Sequence, residues 1–375
     1  MKKFIVFLAA LSMVLGFAVT AAMADTDLYG SVRFRTYWAD KDDAYSSTNY
    51  DDEDLDWRIG YLTRWGINYK SGNIRGKVEL DTRDQDGDEG SSEIGDVRVR
   101  HMYGEWDFGS GKLLMGQTFN PCTVYASGLG YFSGGLQKFH STGLKYFRTS
   151  QIRLTFDNFM IAFLTPDTEQ DYKGTAAVPG PAFGGDIDTT LPRIEMRYSM
   201  KLDPVTLDFM GGWQQYDVVG PDDSEEDVTS YFVGLYAQAN FGPTYVKGLV
   251  NYRQNGGNYG LWSVVNETAQ WDPVGQDVDD VTAIGYSAVV GYKFSDKVTV
   301  EAAYAASSSE GDATGDPEDD AQAFSLHLKY SPAPGVIIQP ELIYDDRQES
   351  DYLLPGDDDQ GDALIMGVFW MINFK

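Results

Sequence analysis

Cysteine and histidine are almost missing from this chain of 375 residues, with one of the first and three of the second. A single thiol excludes an internal disulfide, and neither residue falls at the spacing of a zinc or redox site. His101, His140 and His327 have no serine or aspartate arranged around them as a nucleophilic hydrolase would need. Basic residues are scarce too, 29 against 57 acidic ones, for a formal net charge of −28. So acidic a chain repels nucleic acid and anionic surfaces, which excludes both as electrostatic partners. Beyond residue 24 no apolar run is long enough for a membrane-spanning helix. Segments of helical length with a 3.6-residue period are also missing.

The first 24 residues stand apart. Lys2 and Lys3 open them, Phe4 to Val19 are apolar, and Ala22-Met23-Ala24 forms a small-x-small cleavage site. This pattern predicts a secretory signal peptide over residues 1–24 and one mature domain over residues 25–375. A retained anchor would need about 20 apolar residues and no cleavage site. Asp25, and not a cysteine, stands directly after the site, which excludes a lipoprotein.

What the chain has in quantity is glycine, 40 residues, and aromatics, 14 % of the whole, a composition suited to a turn-rich β protein. Residues 57–70 read WRIGYLTRWGINYK. Alternate positions from Trp57 are apolar or aromatic, and the others include Arg58, Arg64 and Lys70. A period of two is the signature of a strand with two unlike faces. Similar alternation predicts strands over 26–38, 57–70, 73–84, 96–108, 111–119, 151–156, 159–165, 191–201, 204–216, 228–241, 243–254, 281–294, 297–308, 321–330, 335–345 and 362–374. Connections between them alternate as well. Short ones such as Ser71-Gly72, Asp157-Asn158 and Gly242 have tight-turn chemistry. Long ones over 39–56, 85–95, 120–150, 166–190, 217–227, 255–280, 309–320 and 346–361 lie between. Soluble sandwiches do not order their loops this way, whereas transmembrane barrels put short turns on one side and long loops on the other. The prediction is an all-β, antiparallel transmembrane β-barrel of about 16 strands, with the Trp57 row on lipid and the Arg58 row on the lumen.

Two stretches add a family resemblance across the mature chain. KLLMGQTFNP, from Lys112 to Pro121, is similar to the strand ending that precedes the pore-narrowing third loop of the Gram-negative trimeric porins. The last strand, ALIMGVFWMINFK, resembles their C-terminal assembly strand, although Lys375 here follows the terminal aromatic Phe374. The resemblance implies an outer-membrane location, contact with outer-membrane lipid and lipopolysaccharide, and a homotrimer built through the first strands and the last. It also implies a passive, water-filled channel for small hydrophilic solutes and ions, working without a cofactor.

The first four predicted strands turn Arg33, Arg35, Arg58, Arg64, Lys70, Arg75, Lys77, Arg83, Arg98 and Arg100 toward the lumen, opposed only by Glu79 and Asp81. Such charges on the lipid side would cost about 2–4 kcal/mol each at mid-membrane. Arg33, Arg35, Arg64, Lys77 and Arg100 fall near mid-height and are the candidate constriction residues; a merely polar, solvated lumen is the plainer reading. By resemblance they would face the third loop, which has no Asp or Glu from Asn120 to Ser141. General porins usually carry an acidic loop there, so this departure removes the expectation of cation preference. Tyr125 and Tyr131 would narrow the pore or, more in keeping with their type, pin the loop. Cys122 reads as an inert small residue, and His101 falls on the outward row, which fits a subunit contact.

Most of the acidic residues lie in the other long connections. Asp84, Asp86 and Asp88 in DQDGDEGSSE hint at a calcium loop but fail the EF-hand template, since position six is Glu89 and position twelve Gly95. They are candidates for weak divalent binding, with a solvated acidic surface as the plainer reading. Asn266-Glu267-Thr268 matches a glycosylation sequon, a chance match in a bacterial barrel. The function expected is a passive diffusion porin and not an enzyme. A substrate-selective channel for an anion or sugar is the alternative. A barrel hydrolase comes third, because such families usually have ten or twelve strands.

Overall fold

The computed structural model describes residues 25–42, 45, 55–59, 63–82, 97–130, 142, 144, 148–167, 187–219, 225–261, 263–272, 277–313, 315–352 and 360–375. Its sixteen barrel strands are numbered here in chain order. They are β1 Asp25–Lys41, β2 in two segments Leu55–Ile59 and Arg64–Ser71, β3 Ile74–Thr82, and β4 Val97–Asp107. Next come β5 Lys112–Thr118, β6 Thr149–Phe156, β7 Phe159–Leu164 and β8 Arg193–Leu202, the last preceded by the short piece Ile187–Asp188. The second half comprises β9 Val205–Val219, β10 Glu225–Phe241, β11 Thr244–Gln254 and β12 Val281–Lys293. It ends with β13 Val298–Gly311, β14 Glu318–Tyr330, β15 Val336–Asp346 and β16 Asp362–Phe374.

Each strand pairs antiparallel with the next, and β1 pairs with β16 from Gly30↔Phe374 to Lys41↔Ala363. The sheet therefore closes and leaves no edge, which an extended backbone must do to lie in lipid. Tight turns such as Asp157-Asn158, between paired Phe156 and Phe159, all lie at one end of the barrel. Asp157 and Gly242 occupy left-handed backbone there (φ 45° and 61°), conformations that Asp tolerates and Gly adopts freely.

Alternation in burial follows alternation in sequence. Along β12, Ala283, Ser287 and Val289 are buried inside, while Ile284, Tyr286 and Val290 are exposed outside. On β2, Trp57, Ile59 and Trp65 are exposed, as a lipid-facing row must be. The last strand is apolar on both faces for a packing reason. Met366 and Trp370 are exposed, while Ile365 and Phe369 are buried against material inside the barrel, including Leu129.

One strand breaks the pattern. Glu79 pairs with His101 but its neighbour Leu80 pairs with Val99, so Arg100 is the extra residue of a β-bulge. The bulge turns both Arg100 and His101 inward, with Val99 and Met102 exposed on either side. His101, expected on the outer row, is thus 5 % exposed and shares a 2.9 Å hydrogen bond with Thr118 Oγ1. Strict alternation could not foresee this, because it assumes that no residue is inserted.

Candidate functional site

The basic row of β1 to β4 forms one side of the lumen. Glu79 collects most of its contacts. Tyr29 OH donates to Glu79 at 2.6 Å and Arg100 Nε at 2.7 Å, with Lys77 Nζ and Arg64 Nη1 at 3.5 and 3.6 Å. Asp81 accepts from Arg98 Nε and Nη2, at 2.7 and 3.0 Å, and from Arg100 Nη1 at 3.1 Å. Arg100 therefore bridges two carboxylates and is only 2 % exposed, whereas Arg64 keeps 28 % of its side chain accessible. Local cations outnumber carboxylates, so the wall stays positive after pairing.

The third loop lies against the opposite wall. It starts at β8, where buried Glu195 accepts from Asn120 Nδ2 at 3.1 Å and from the Cys122 amide at 3.2 Å. It passes β11, where Lys247 donates to the carbonyl of Ala126 at 2.8 Å. On β13 Glu301 accepts from Ser127 Oγ and the Gly128 amide, at 2.8 and 2.6 Å, and on β15 Glu341 accepts from the Gly130 amide at 2.5 Å. A Cβ at position 130 would meet the Phe369 ring at 2.5 Å, which is why glycine stands there. Carboxylates of the wall, rather than of the loop, thus hold the loop by its backbone amides.

A cavity of about 340 Å³ remains between the two sides. Arg33, Arg64 and Arg100 line one side, Tyr125 the loop side, and Lys329 and Phe369 the rest. Tyr125 is 41 % exposed. Desolvation by the surrounding walls raises the pKa of its hydroxyl, and the field of Arg148, Arg100, Arg64 and Arg33 opposes that rise. By contrast, the Cys122 thiol is fully buried, and burial pushes its pKa well up.

Of the constriction residues expected from sequence, Arg33, Arg64, Arg100 and Tyr125 come together around this cavity. Lys77 sits beside it on Glu79, at 24 % exposure. Arg35 points inward but is 2 % exposed and does not line the cavity. Tyr131, Asp84, Asp86 and Asp88 lie outside the described residues. Among the described residues no group of His, Cys, Asp or Glu could hold a metal ion.

Sequence reading stopped at the fourth strand and so missed Arg148 and Arg153 on the same side. Arg148 lies over the Phe119 ring at 4.9 Å, and Arg153 donates to the Phe119 carbonyl at 3.4 Å. It also missed the connection between β11 and β12, expected as an outer acidic loop. Tyr259, Leu261, Val264 and Val265 of that connection are buried inside the barrel. The signal was present in Leu261-Trp262-Ser263-Val264-Val265, a run too apolar for an outer loop.

Comparison with known proteins places this geometry. The family model for Gram-negative porins matches residues 9–350. No curated protein sequence matches the chain. Among solved structures, the outer membrane channel DcaP of Acinetobacter baumannii is similar, with 17 % identity, coverage of 94 % of this chain and 98 % of that one, and a TM-score of 0.73. The in-vitro folded trimer form of OmpT from Vibrio cholerae shows 18 % identity over 94 % and 100 %, at a TM-score of 0.60. An anion-selective porin from Comamonas acidovorans shows 15 % over 94 % and 100 %, at 0.59. At such identities the structural likeness speaks for the barrel fold alone. The family match covers nearly the whole chain, and the chain closes into a sixteen-stranded barrel with its third loop folded against the inner wall: the protein belongs to the Gram-negative porin family, the diffusion channels of the bacterial outer membrane.

Proposed function

We propose that the channel passes small hydrophilic solutes and ions passively, and that Arg33, Arg64 and Arg100, with Lys77 beside them, make its narrow section tolerant of anions. The observation that carries this reading is the excess of guanidinium groups around the cavity, facing a third loop without carboxylates. Charge at the narrowest section weighs most, because low-dielectric walls focus the field there. The test is the reversal potential of the purified protein in planar bilayers at high salt. Anion permeability at least comparable to cation permeability is expected, and replacing Arg64 and Arg100 together by Ala should move the potential toward cations. Strong cation selectivity, unmoved by that double change, would overturn the reading.

The same proposal extends to the molecule's setting. Residues 1–24 act as a cleaved signal peptide, and the mature barrel contacts outer-membrane lipid and lipopolysaccharide. It assembles as a homotrimer, a reading supported by the trimer form of the similar OmpT. It performs no catalysis. Liposome swelling with a graded series of neutral and anionic solutes separates a general pore from a selective one.

A further inference from the structure

In the connection between β11 and β12, residues 255–261 and 263–269 reach across half of the barrel. At β9, Gln214 Nε2 donates to the Asn258 carbonyl at 3.0 Å, and Asn258 Nδ2 donates to Tyr216 OH at 3.0 Å. Further on, Val264 and Val265 pack with Tyr37, Ile343 and Ile365 on β1, β15 and β16. Asp319 of β14 accepts from the Asn266 amide at 2.6 Å. Among the described residues, this segment and the third loop therefore occupy the same side of the lumen and leave most of β2 to β5 bare.

The two inward segments meet at one guanidinium. Arg253 and Glu267 are both 0 % exposed. Arg253 Nε donates to Glu267 Oε2 at 2.9 Å, and its Nη2 pairs with Oε1 of the same carboxylate. Ser263 Oγ donates to that carboxylate as well. The remaining fork of Arg253 points the other way, and Nη1 donates to the Thr142 carbonyl at 2.6 Å. Thr142 belongs to the returning limb of the third loop, and Asn251 Nδ2 donates to the same carbonyl at 3.0 Å. A planar guanidinium can hold a carboxylate on one edge and a carbonyl on another, which an ammonium cannot do in a fixed geometry.

We propose that Glu267, acting through Arg253, is a positioning residue that clamps the returning limb of the third loop and thereby sets the width of the pore. The stretch formed by residues 255–261 and 263–269 is then a structural half of the constriction and not an outer loop. The proposal rests on the chain being a diffusion pore, but not on its ion preference, so the two are read by different measurements. With Glu267→Gln the fork loses its countercharge, and the third loop should loosen.

The purified wild-type and variant porins are compared in single-channel recordings, in swelling assays with graded neutral sugars, and in the labelling rate of Cys122 by a small maleimide. For folded Glu267→Gln, expected results are a conductance changed by about twofold or more with added flicker, faster entry of the larger sugars, and Cys122 labelling at least tenfold faster. Reversal potential should stay put, because the bare basic wall is untouched, and Glu267→Asp should restore part of the behaviour. A folded Glu267→Gln variant with wild-type conductance, sugar exclusion and labelling overturns the proposal. If Glu267→Gln does not fold, Ser263→Ala decides in its place, since it removes only one hydrogen bond to the carboxylate. Smaller changes in the same direction support the clamp, and wild-type values in all three assays overturn it.

Discussion

At the residue scale, Arg100 and Arg64 show why two arginines on one wall are not equivalent. Arg100 is enclosed and bridges Glu79 and Asp81, whereas Arg64 is partly solvated and 3.6 Å from Glu79. Breaking a buried pair strands its partner, at a cost of about 3–5 kcal/mol. Here Lys77 and Arg98 still attend the two carboxylates, so Arg100→Ala should destabilise the barrel by about 3 kcal/mol, the lower end of that range. Urea unfolding in detergent measures this. Arg64→Ala should cost less than about 1 kcal/mol, as an accessible pair does. The reversal potential should shift further for Arg100→Ala than for Arg64→Ala, since two carboxylates lose a cation they share. Equal shifts would mean that the two arginines weigh alike on the passing ion, and no shift for Arg100→Ala that it is electrically silent. A second expectation concerns Cys122, whose thiol is enclosed and pushed to high pKa by burial. Thiolate is the reactive form, so the native protein should resist maleimide over hours and label promptly once unfolded. Prompt labelling of the native form would show that the third loop opens on its own.

At the element scale, the strands were legible because half-buried sheets write their two faces into a period of two. The segment from Trp57 to Lys70 declares its lipid side in every second residue. The bulge in β4 was not legible, because it depends on how Glu79 and Leu80 pair with a neighbouring strand. One side chain depends directly on it. Gln117, on the outer face of β5, donates from Nε2 to the Val99 carbonyl at 2.8 Å and lies 3.5 Å from that of Arg100. Those are the carbonyls flanking the inserted residue. Replacing Gln117 by Leu, of similar size but without a donor, should cost about 1–3 kcal/mol, the penalty for a desolvated acceptor left unpaired. A thermal or urea midpoint equal to wild type would show that lipid headgroups, water or a partner chain satisfy the bulge instead. The inward course of residues 255–261 and 263–269 was hidden for a related reason. The acidic residues of the connection between β11 and β12 read as an outer loop, and in the sequence only its central apolar run signals an inward course.

For the whole molecule, charge is sorted by height. Acidic residues such as Asp312, Asp319, Asp320, Asp345 and Asp346 stand at the ends of β13 to β15 that bear the long loops, while the arginines lie near the middle of the barrel. Salt screens charge over about 10 Å at 0.1 M and about 30 Å at 0.01 M. Diluting the salt should therefore let the wide acidic mouth act on ions approaching the narrow section. Relative cation permeability should rise between 1 M and 0.01 M salt, as read from reversal potentials under a constant concentration ratio. A ratio independent of salt would assign all selectivity to the narrow section. Segregation around the circumference has another consequence. Among the described residues, β8 to β16 do most of the seating of the two inward segments and contribute none of the arginines at the cavity, and β2 to β5 seat almost none of either segment. Substitutions far apart with no shared partner act nearly independently. A lineage exposed to a new toxin or nutrient can thus alter the bare arc one residue at a time, and each step tunes uptake without first having to refit the loops that keep the pore in shape.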